Sequence, residues 1–359
     1  MGLRLKRCFE TKLLAQNPVL FFIFTKKIAL VKIGDIELSD FPLLLAPMED
    51  VSDPPFRALC KELGADVVYT EFISSEGLIR DAAKSVQKLD IYEKERPVGI
   101  QIFGANLDSM IRSVEIVEAS QPDIIDINFG CPVKKVVSKG AGAGILKDIP
   151  LMVKLTEAMA KHTHLPITVK TRLGWDDDSI KIVEVAERLQ DAGAKAISIH
   201  GRTRAQMYKG EANWHPIAEV KNNQRMQIPI FGNGDVDSPE KAKLMRDAFG
   251  LDGAMIGRAS IGNPWFFNQV KHYFETGTHA APPSIEDRVA VARRHLEMAI
   301  DWKGEIQGVL ETRRHYTNYF KGIPNFKPLR TRMVTSNESA GVFEVFDEII
   351  EHFSAQEMA

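Results

Sequence analysis

The chain has 359 residues and a formal net charge of −2. That length holds one large domain with a smaller one beside it. A net charge so near zero argues neither for nor against a nucleic-acid partner, and any basic surface must be local. The three cysteines, Cys8, Cys60 and Cys131, are odd in number and form no CxxC. They support neither a disulfide framework nor a Cys-ligated zinc or iron–sulfur site, and they suit a reducing, cytoplasmic compartment.

Residues 1–30 are basic and then briefly apolar. The run Val19 to Phe24 is too short to span a bilayer, and no small-residue cleavage site follows it. A poorly ordered extension is expected there, with no membrane anchor, and ordered structure is expected from near Val31.

From Leu43 the chain alternates apolar strands with helical stretches. The predicted strands are 43–48, 66–73, 98–104, 124–130, 167–174, 196–203, 228–235 and 253–260. "KELGADVV", "LQDAGAKAI" and "DAFGLDGAM" each end a helix at a glycine, which takes the left-handed cap conformation cheaply. Strands alternating with helices imply parallel β/α units. Eight of them match an α/β fold of the (β/α)8 TIM-barrel type over residues 31–281. A doubly wound open sheet is the alternative, but no GxGxxG follows the first strand.

A barrel should carry its functional side chains at the C-terminal ends of its strands. Those ends hold Pro47 and Met48, Glu71, Gln101, Asn128 and Cys131, Lys170 and Arg172, His200 and Arg202, Asn233 to Asp235, and Gly257 with Arg258. Strand parity puts Thr168, Lys170 and Arg172 on one face, and Ser198, His200 and Arg202 on another. Lysine is rarely buried without a partner, which favours a functional Lys170 over a core one. A hydrogen-bonded core histidine is common, so the signal at His200 is weaker. "FGNGDV" and "MIGRAS" follow the last two strands, where barrels often bind phosphate; Gly232, Gly234, Gly257 and Arg258 suit an anion better than two ordinary turns do. "GNPWFF" reads as a helix start, with Asn263 as N-cap and Pro264 first in the helix. The small-residue stretch "SKGAGAGIL" (138–146) reads as a flexible lid or a close-approach surface, and it lacks the ending of a Walker motif.

Residues 282–359 read as helices. Ile306 to Met333 hold Arg313, Arg314, Lys321, Lys327, Arg330 and Arg332 against Glu311 alone, with Tyr316, Tyr319, Phe320 and Phe326 interleaved. An RNA-gripping surface and an amphipathic bundle with solvated charges fit this pattern equally well. The aromatics are expected to be mostly core.

Long ordered strings then identify a resemblance. They are "LAPMEDVSDPPFR" (45–57), "VGIQIFG" (98–104), "DINFGCPVKKVVSKGAGAGIL" (126–146), "TVKTRLGW" (168–175), "IHGRTRAQMYKGEANW" (199–214) and "GAMIGRASIGNPW" (253–265). From about Ile33 to Arg332 the chain resembles the tRNA-dihydrouridine synthases, most closely their bacterial B-type branch. The resemblance implies an FMN-binding catalytic barrel and a helical tRNA-binding domain at 282–359. It implies NADPH (or NADH) as reductant, and tRNA as partner, with no obligatory protein partner. The reaction implied reduces a uridine, in the D-loop, to 5,6-dihydrouridine. Pro47, Met48 and Glu49 would contact the flavin, as would Gln101, Lys170 and His200. Asn233, Gly234, Asp235, Gly257 and Arg258 would cradle its phosphate, and Cys131 would be the catalytic acid. Asn128, Arg172, Arg202, Arg313 and Arg314 are the expected substrate contacts; no metal is expected. The acidic, Pro-rich "APMEDVSDPPFR" and the N-terminal extension depart from the family pattern.

Chemistry agrees with the acid role: an ordinary thiol is mostly protonated at neutral pH. No helix start is evident at Cys131 to make it a thiolate. The alternatives are an FMN barrel acting on a free pyrimidine, which leaves the basic tail unexplained, and a non-catalytic tRNA-binding protein, which needs neither the phosphate turns nor Cys131.

Overall fold

The computed structural model describes residues 30–357, and side chains up to Phe353. The expected N-terminal extension therefore lies outside the described residues, apart from Leu30.

All eight predicted strands form, each shorter than its apolar run. They are β1 Leu43–Leu45, β2 Val68–Tyr69, β3 Val98–Phe103, β4 Ile124–Asn128, β5 Ile167–Arg172, β6 Ala196–His200, β7 Ile230–Asn233 and β8 Gly253–Ile256. Every neighbouring pair is parallel, and β8 returns to β1. A parallel bridge between Leu44 and Val67 joins β1 to β2 and completes the ring. The sheet is thus a closed barrel, which leaves no strand edge to protect. A short extra strand, Ile73–Ser74, pairs with the upper end of β3.

The glycine-ended helices behave as their sequence predicts. Gly64, Gly193 and Gly250 have φ of +106°, +103° and +62°. A small antiparallel hairpin, Lys32–Ile33 with Ile36–Glu37, precedes the barrel. Its Val31, Ile33 and Leu38 pack with Leu44, Tyr69, Phe231 and Met255 in one buried cluster, so it plugs the N-terminal end of the barrel.

Four helices follow: Ile285–Lys303, Glu305–Tyr319, Lys327–Thr335 and Ser339–Glu357. They enclose a second apolar cluster built on Val289, Leu296, Tyr316, Tyr319, Phe320, Phe326 and Phe346. The aromatics of the basic stretch are therefore core, as expected. Among the described residues no helix is long and apolar enough to cross a membrane.

One start differs from the sequence reading. The helix after β8 begins at Phe266, not Pro264, and Asn263 is not its cap. Helix Glu305–Tyr319 holds the preceding turn in place. The Gly262 N–H donates to His315 Nδ1 at 3.0 Å, and Asn318 Nδ2 donates to the Ile261 carbonyl at 2.7 Å.

The helical bundle is locked to the barrel through the first barrel helix, Pro54–Glu62. Asp53 caps that helix through Oδ1, accepting from the Phe56 N–H at 3.0 Å, while Oδ2 accepts from Lys303 Nζ at 2.6 Å. Lys303 also pairs with Glu311. One turn further on, Arg57 is buried: Nε donates to Glu95 at 2.6 Å, and Nη1 donates to the Ser52 carbonyl at 2.8 Å. Removing one member of a buried pair strands the other charge. Arg57→Ala should therefore cost about 3–5 kcal/mol in chemical denaturation. A loss below about 1 kcal/mol, the size of a surface pair, would contradict this reading.

Candidate active site

Strand register stacks the polar residues in tiers across the barrel. Gln101 pairs with Asp126 and Asp126 with Thr168. Asn128 pairs with Lys170 and Lys170 with Ser198. Arg172 pairs with His200 and His200 with Asn233. Such side chains share the inward face, so the parity seen in the sequence becomes a polar mouth above an apolar floor.

A hydrogen-bond chain joins the two lower tiers. The Gly130 and Cys131 N–H groups donate to Asn128 Oδ1 at 3.0 and 2.8 Å. Asn128 Nδ2 must therefore point the other way, and it donates to Gln101 Oε1 at 2.8 Å. Gln101 Nε2 in turn donates to Asp126 at 2.6 Å, and Thr168 donates to the second Asp126 oxygen at 2.5 Å. Burial raises the Asp126 carboxyl to about 6, held down from further rise by these two donors and by Lys170.

Lys170 donates to Asn233 Oδ1 at 3.1 Å, and Asn233 is fixed by its own bond to the Met255 carbonyl at 2.7 Å. No carboxylate pairs with Lys170 among the described residues. Burial, and then Arg172, bring its ammonium down to about 8, still charged at neutral pH. His200 is neutral, because burial and the cations Arg172 and Lys170 hold it well below its ordinary value. Arg202 Nη1 lies 3.3 Å from His200 Nε2. Since arginine only donates, Nε2 accepts and the proton sits on Nδ1.

Cys131 is buried in the mouth beside Val136 and Ala141, with Phe72 and Phe103 against it. Burial pushes its thiol above the ordinary value; the Val133 backbone and Arg172 pull only partly against this. The small-residue stretch is not a lid. Ala141 to Leu146 are buried, and the Ala143 N–H donates to the Cys131 carbonyl at 2.9 Å. Gly142 has φ +54°, and a Cβ there would sit 2.8 Å from the Cys131 carbonyl oxygen. The close-approach reading is thus the one observed, with the cysteine loop as the thing approached.

The two glycine turns leave donors open. Among the described residues, the N–H groups of Gly234, Asp235, Gly257 and Arg258 donate to no protein group. Gly234 has φ +106°, and a Cβ there would meet the His200 ring at 2.8 Å. Unpaired N–H groups in successive turns form a concavity for an anion.

Several expected contacts are arranged differently. Asp235 does not present its carboxylate to a ligand; it grips Arg202 at 2.6 and 3.0 Å and Arg258 at 3.0 Å. Arg202 also donates to the Lys209 and Gly210 carbonyls at 3.1 and 2.5 Å. With His200 added, its five donors are all engaged inside the protein, so in this structure it braces the 203–210 loop. Arg172 ties the Gly130 carbonyl at 2.7 Å to Thr203 and Met207 carbonyls at 3.1 and 2.8 Å, which leaves Nη2 open. Burial lowers it to about 10, still charged at neutral pH.

Met48 has its N–H and carbonyl both bound to Ser52, so only its side chain and Pro47 face the mouth unpaired. Glu49 is exposed and pairs with Lys88 at 2.7 Å. Arg313 holds the Ser336 carbonyl and Asn337, and Arg314 lies 3.5 Å from Asp50. Both therefore brace the helical region in this structure. Tyr208 escaped the sequence reading. It is 54% exposed, and the Arg172 and Arg258 guanidinium groups lie 5.5 and 5.6 Å from its ring. The signal was an aromatic in a loop after a barrel strand.

Fold and mouth together define a (β/α)8-barrel protein with an open anion cradle and a protonated thiol. The dihydrouridine synthase family model matches residues 44–354, and the chain belongs to that family. It is 36% identical over 327 residues to a probable tRNA-dihydrouridine synthase of Rickettsia bellii, covering 91% of this chain and 98% of that one. It is 37% identical over 302 residues to tRNA-dihydrouridine synthase B of Pseudomonas putida, covering 84% and 89%. Among solved structures it is similar to an amine oxidase of Pseudomonas geniculata N1 (TM-score 0.55, 13% identity, 75% of this chain and 52% of that one). It is also similar to a morphinone reductase in complex with tetrahydroNAD (TM-score 0.51, 10% identity, 71% and 92%). At these identities the structural likeness shows the fold alone.

The protonated thiol has a direct check. Only thiolate reacts with a haloacetamide. Alkylation of Cys131, followed by mass spectrometry, should accelerate about tenfold per pH unit from acid through neutral pH. A rate already constant near neutral pH would show a thiolate instead.

Proposed function

We propose that the chain is a flavin-dependent tRNA-dihydrouridine synthase. In this reading it reduces the C5=C6 bond of a uridine in the tRNA D-loop, with NADPH as the source of electrons. The observation that carries the reading is the placement of a buried, protonated Cys131 in one mouth with Lys170 and four unpaired backbone N–H groups, in a chain of this family.

The residues fit FMN. Its phosphate suits the N–H groups of Gly234, Asp235, Gly257 and Arg258, with the half-exposed Arg258 side chain beside them. Lys170 has two ammonium protons free of protein partners and would bind the polar edge of the ring. Gln101, held by Asn128 and Asp126, and the Nδ1–H of His200 would complete that side, with Pro47 and Met48 along the wall. When bound, the flavin supplies a hydride to uridine C6.

The chain's own contribution is the proton. Addition at C6 leaves negative charge on C5 and O4 of the base, and C5 must be protonated to complete the reduction. A thiol held above its ordinary value stays protonated until that charge develops, then gives up its proton from Sγ. Arg172 lies close enough to Cys131 to favour the thiolate left behind. Asn128 fixes the backbone on which Sγ sits, so the acid is placed by a rigid strand end and not by a mobile loop. A uridine in folded tRNA must leave its stack to reach this depth. Residues 282–359 would hold the surrounding RNA; Lys321, Lys327 and Arg330, which have no ion pair among the described residues, are better placed for this than Arg313 and Arg314.

Cys131→Ser should retain bound flavin and tRNA affinity. It should lose about 10²–10⁴ in the rate of dihydrouridine formation from NADPH and unmodified tRNA. Turnover at the wild-type rate would remove Cys131 from the mechanism. Separately, Gly234→Ala should purify with little flavin, because the added carbon strains a left-handed residue and meets His200. Full flavin content in that variant would move the phosphate elsewhere.

A further inference from the structure

Half of the ten cations of the helical tail are ion-paired. Arg293 pairs with Asp347, Arg294 with Glu62, Lys303 with Asp53, Arg314 with Asp50 and Arg332 with Glu348. The segments after β4 and β6 differ. Lys134, Lys135, Lys139, Lys147 and Arg204 have no carboxylate partner among the described residues. Two of them gather on a neutral ring instead. Lys147 Nζ lies 3.8 Å from the centre of Trp175, and the Arg204 guanidinium lies 4.7 Å from it.

Trp175 follows β5, the strand of Lys170 and Arg172, and it forms a wall shared by two cavities. One, of about 560 Å³, is lined by Lys139, Gly140, Gly144, Lys147 and Trp175 among others. The other, of about 310 Å³, adds Lys181. Two carboxylates also line them, each tied by a hydrogen bond within the chain. Asp148 Oδ1 caps a helix by accepting from the Leu151 N–H, and Asp176 accepts from Ser179 Oγ. Arg204 Nε is enclosed with no acceptor at all. Cations held together by an aromatic ring keep their full charge for a ligand, whereas ion-paired ones do not. A buried cationic donor without an acceptor is costly, and an anion that draws the guanidinium outward relieves it.

We propose that the cavities beside Trp175 are a second RNA-binding site, in which Lys139 and Lys147 take backbone phosphates of the substrate, with Arg204 on the Trp175 ring beside them. The site lies on the barrel, apart from the helical tail. It rests on the reading of tRNA as substrate. With the tail on one side of the mouth and this site on segment 139–147 and Trp175, the RNA is held at two separated places. The uridine between them is the one presented to Cys131.

The test is binding of an unmodified tRNA transcript to the flavin-loaded protein across a salt series, by fluorescence anisotropy. The variants are K139E/K147E and, as a control at the opposite end of the barrel, Lys195→Glu. The double variant should bind at least about tenfold more weakly at moderate salt, with a salt dependence shallower by about two phosphate contacts. Its flavin content and thermal unfolding should match wild type, and Lys195→Glu should bind as wild type does. Unchanged affinity and salt slope in the double variant would overturn the site while leaving the synthase reading intact. Failure of wild-type protein to bind tRNA would overturn that reading and the site with it.

Discussion

The side-chain amide of Asn128 is the joint on which the mouth of this barrel depends. Its oxygen accepts from two consecutive backbone N–H groups, those of Gly130 and Cys131, and its nitrogen donates to Gln101. Backbone donors cannot be flipped, so they dictate the orientation of the amide and of every group beyond it. Gln101 must accept from Asn128 and donate to Asp126. Asp126 must accept, which it does as a carboxylate above about pH 6 and with Thr168 as its second donor. A buried polar chain with every member satisfied is rigid, and it sets Sγ of Cys131 at a defined height over the interior.

Charge is balanced in the mouth by burial as much as by pairing. Lys170 and Arg172 are cations brought down to about 8 and 10, and they are still charged at neutral pH. Burial, with these two cations, keeps His200 neutral, and the cations lower the thiol of Cys131 less than burial raises it. The same environment therefore holds two cations and a neutral thiol side by side. Opposite protonation demands are met within one mouth because burial disfavours the thiolate of Cys131, while the ammonium of Lys170, lowered only to about 8, keeps its proton at neutral pH.

Much of this was legible before any coordinates. The eight strands follow from glycine-ended helices and apolar runs, and the polar stripes of "ITVKTR" and "AISIHGR" follow from parity alone. Pairings between distant loops were not legible. Nothing local marks Asp235 as the partner of Arg202, 33 residues away, or Lys303 as the partner of Asp53 across two parts of the chain. For the same reason Arg313 and Arg314 looked free in the sequence and are braces in the structure. The helix start at Asn263 was misread because a neighbouring helix, not local propensity, holds residues 261–262. The glycines of 138–146 carried a real signal, close approach, but one sequence could not say what approached.

The most direct test of the account is a single-turnover reaction. The flavin-loaded protein is reduced, freed of NADPH and oxygen, and mixed with tRNA lacking dihydrouridine. The flavin should be reoxidised as one dihydrouridine appears per flavin, and free uridine or uracil should leave it reduced. A flavin that stays reduced with tRNA but is reoxidised by a free pyrimidine would contradict it.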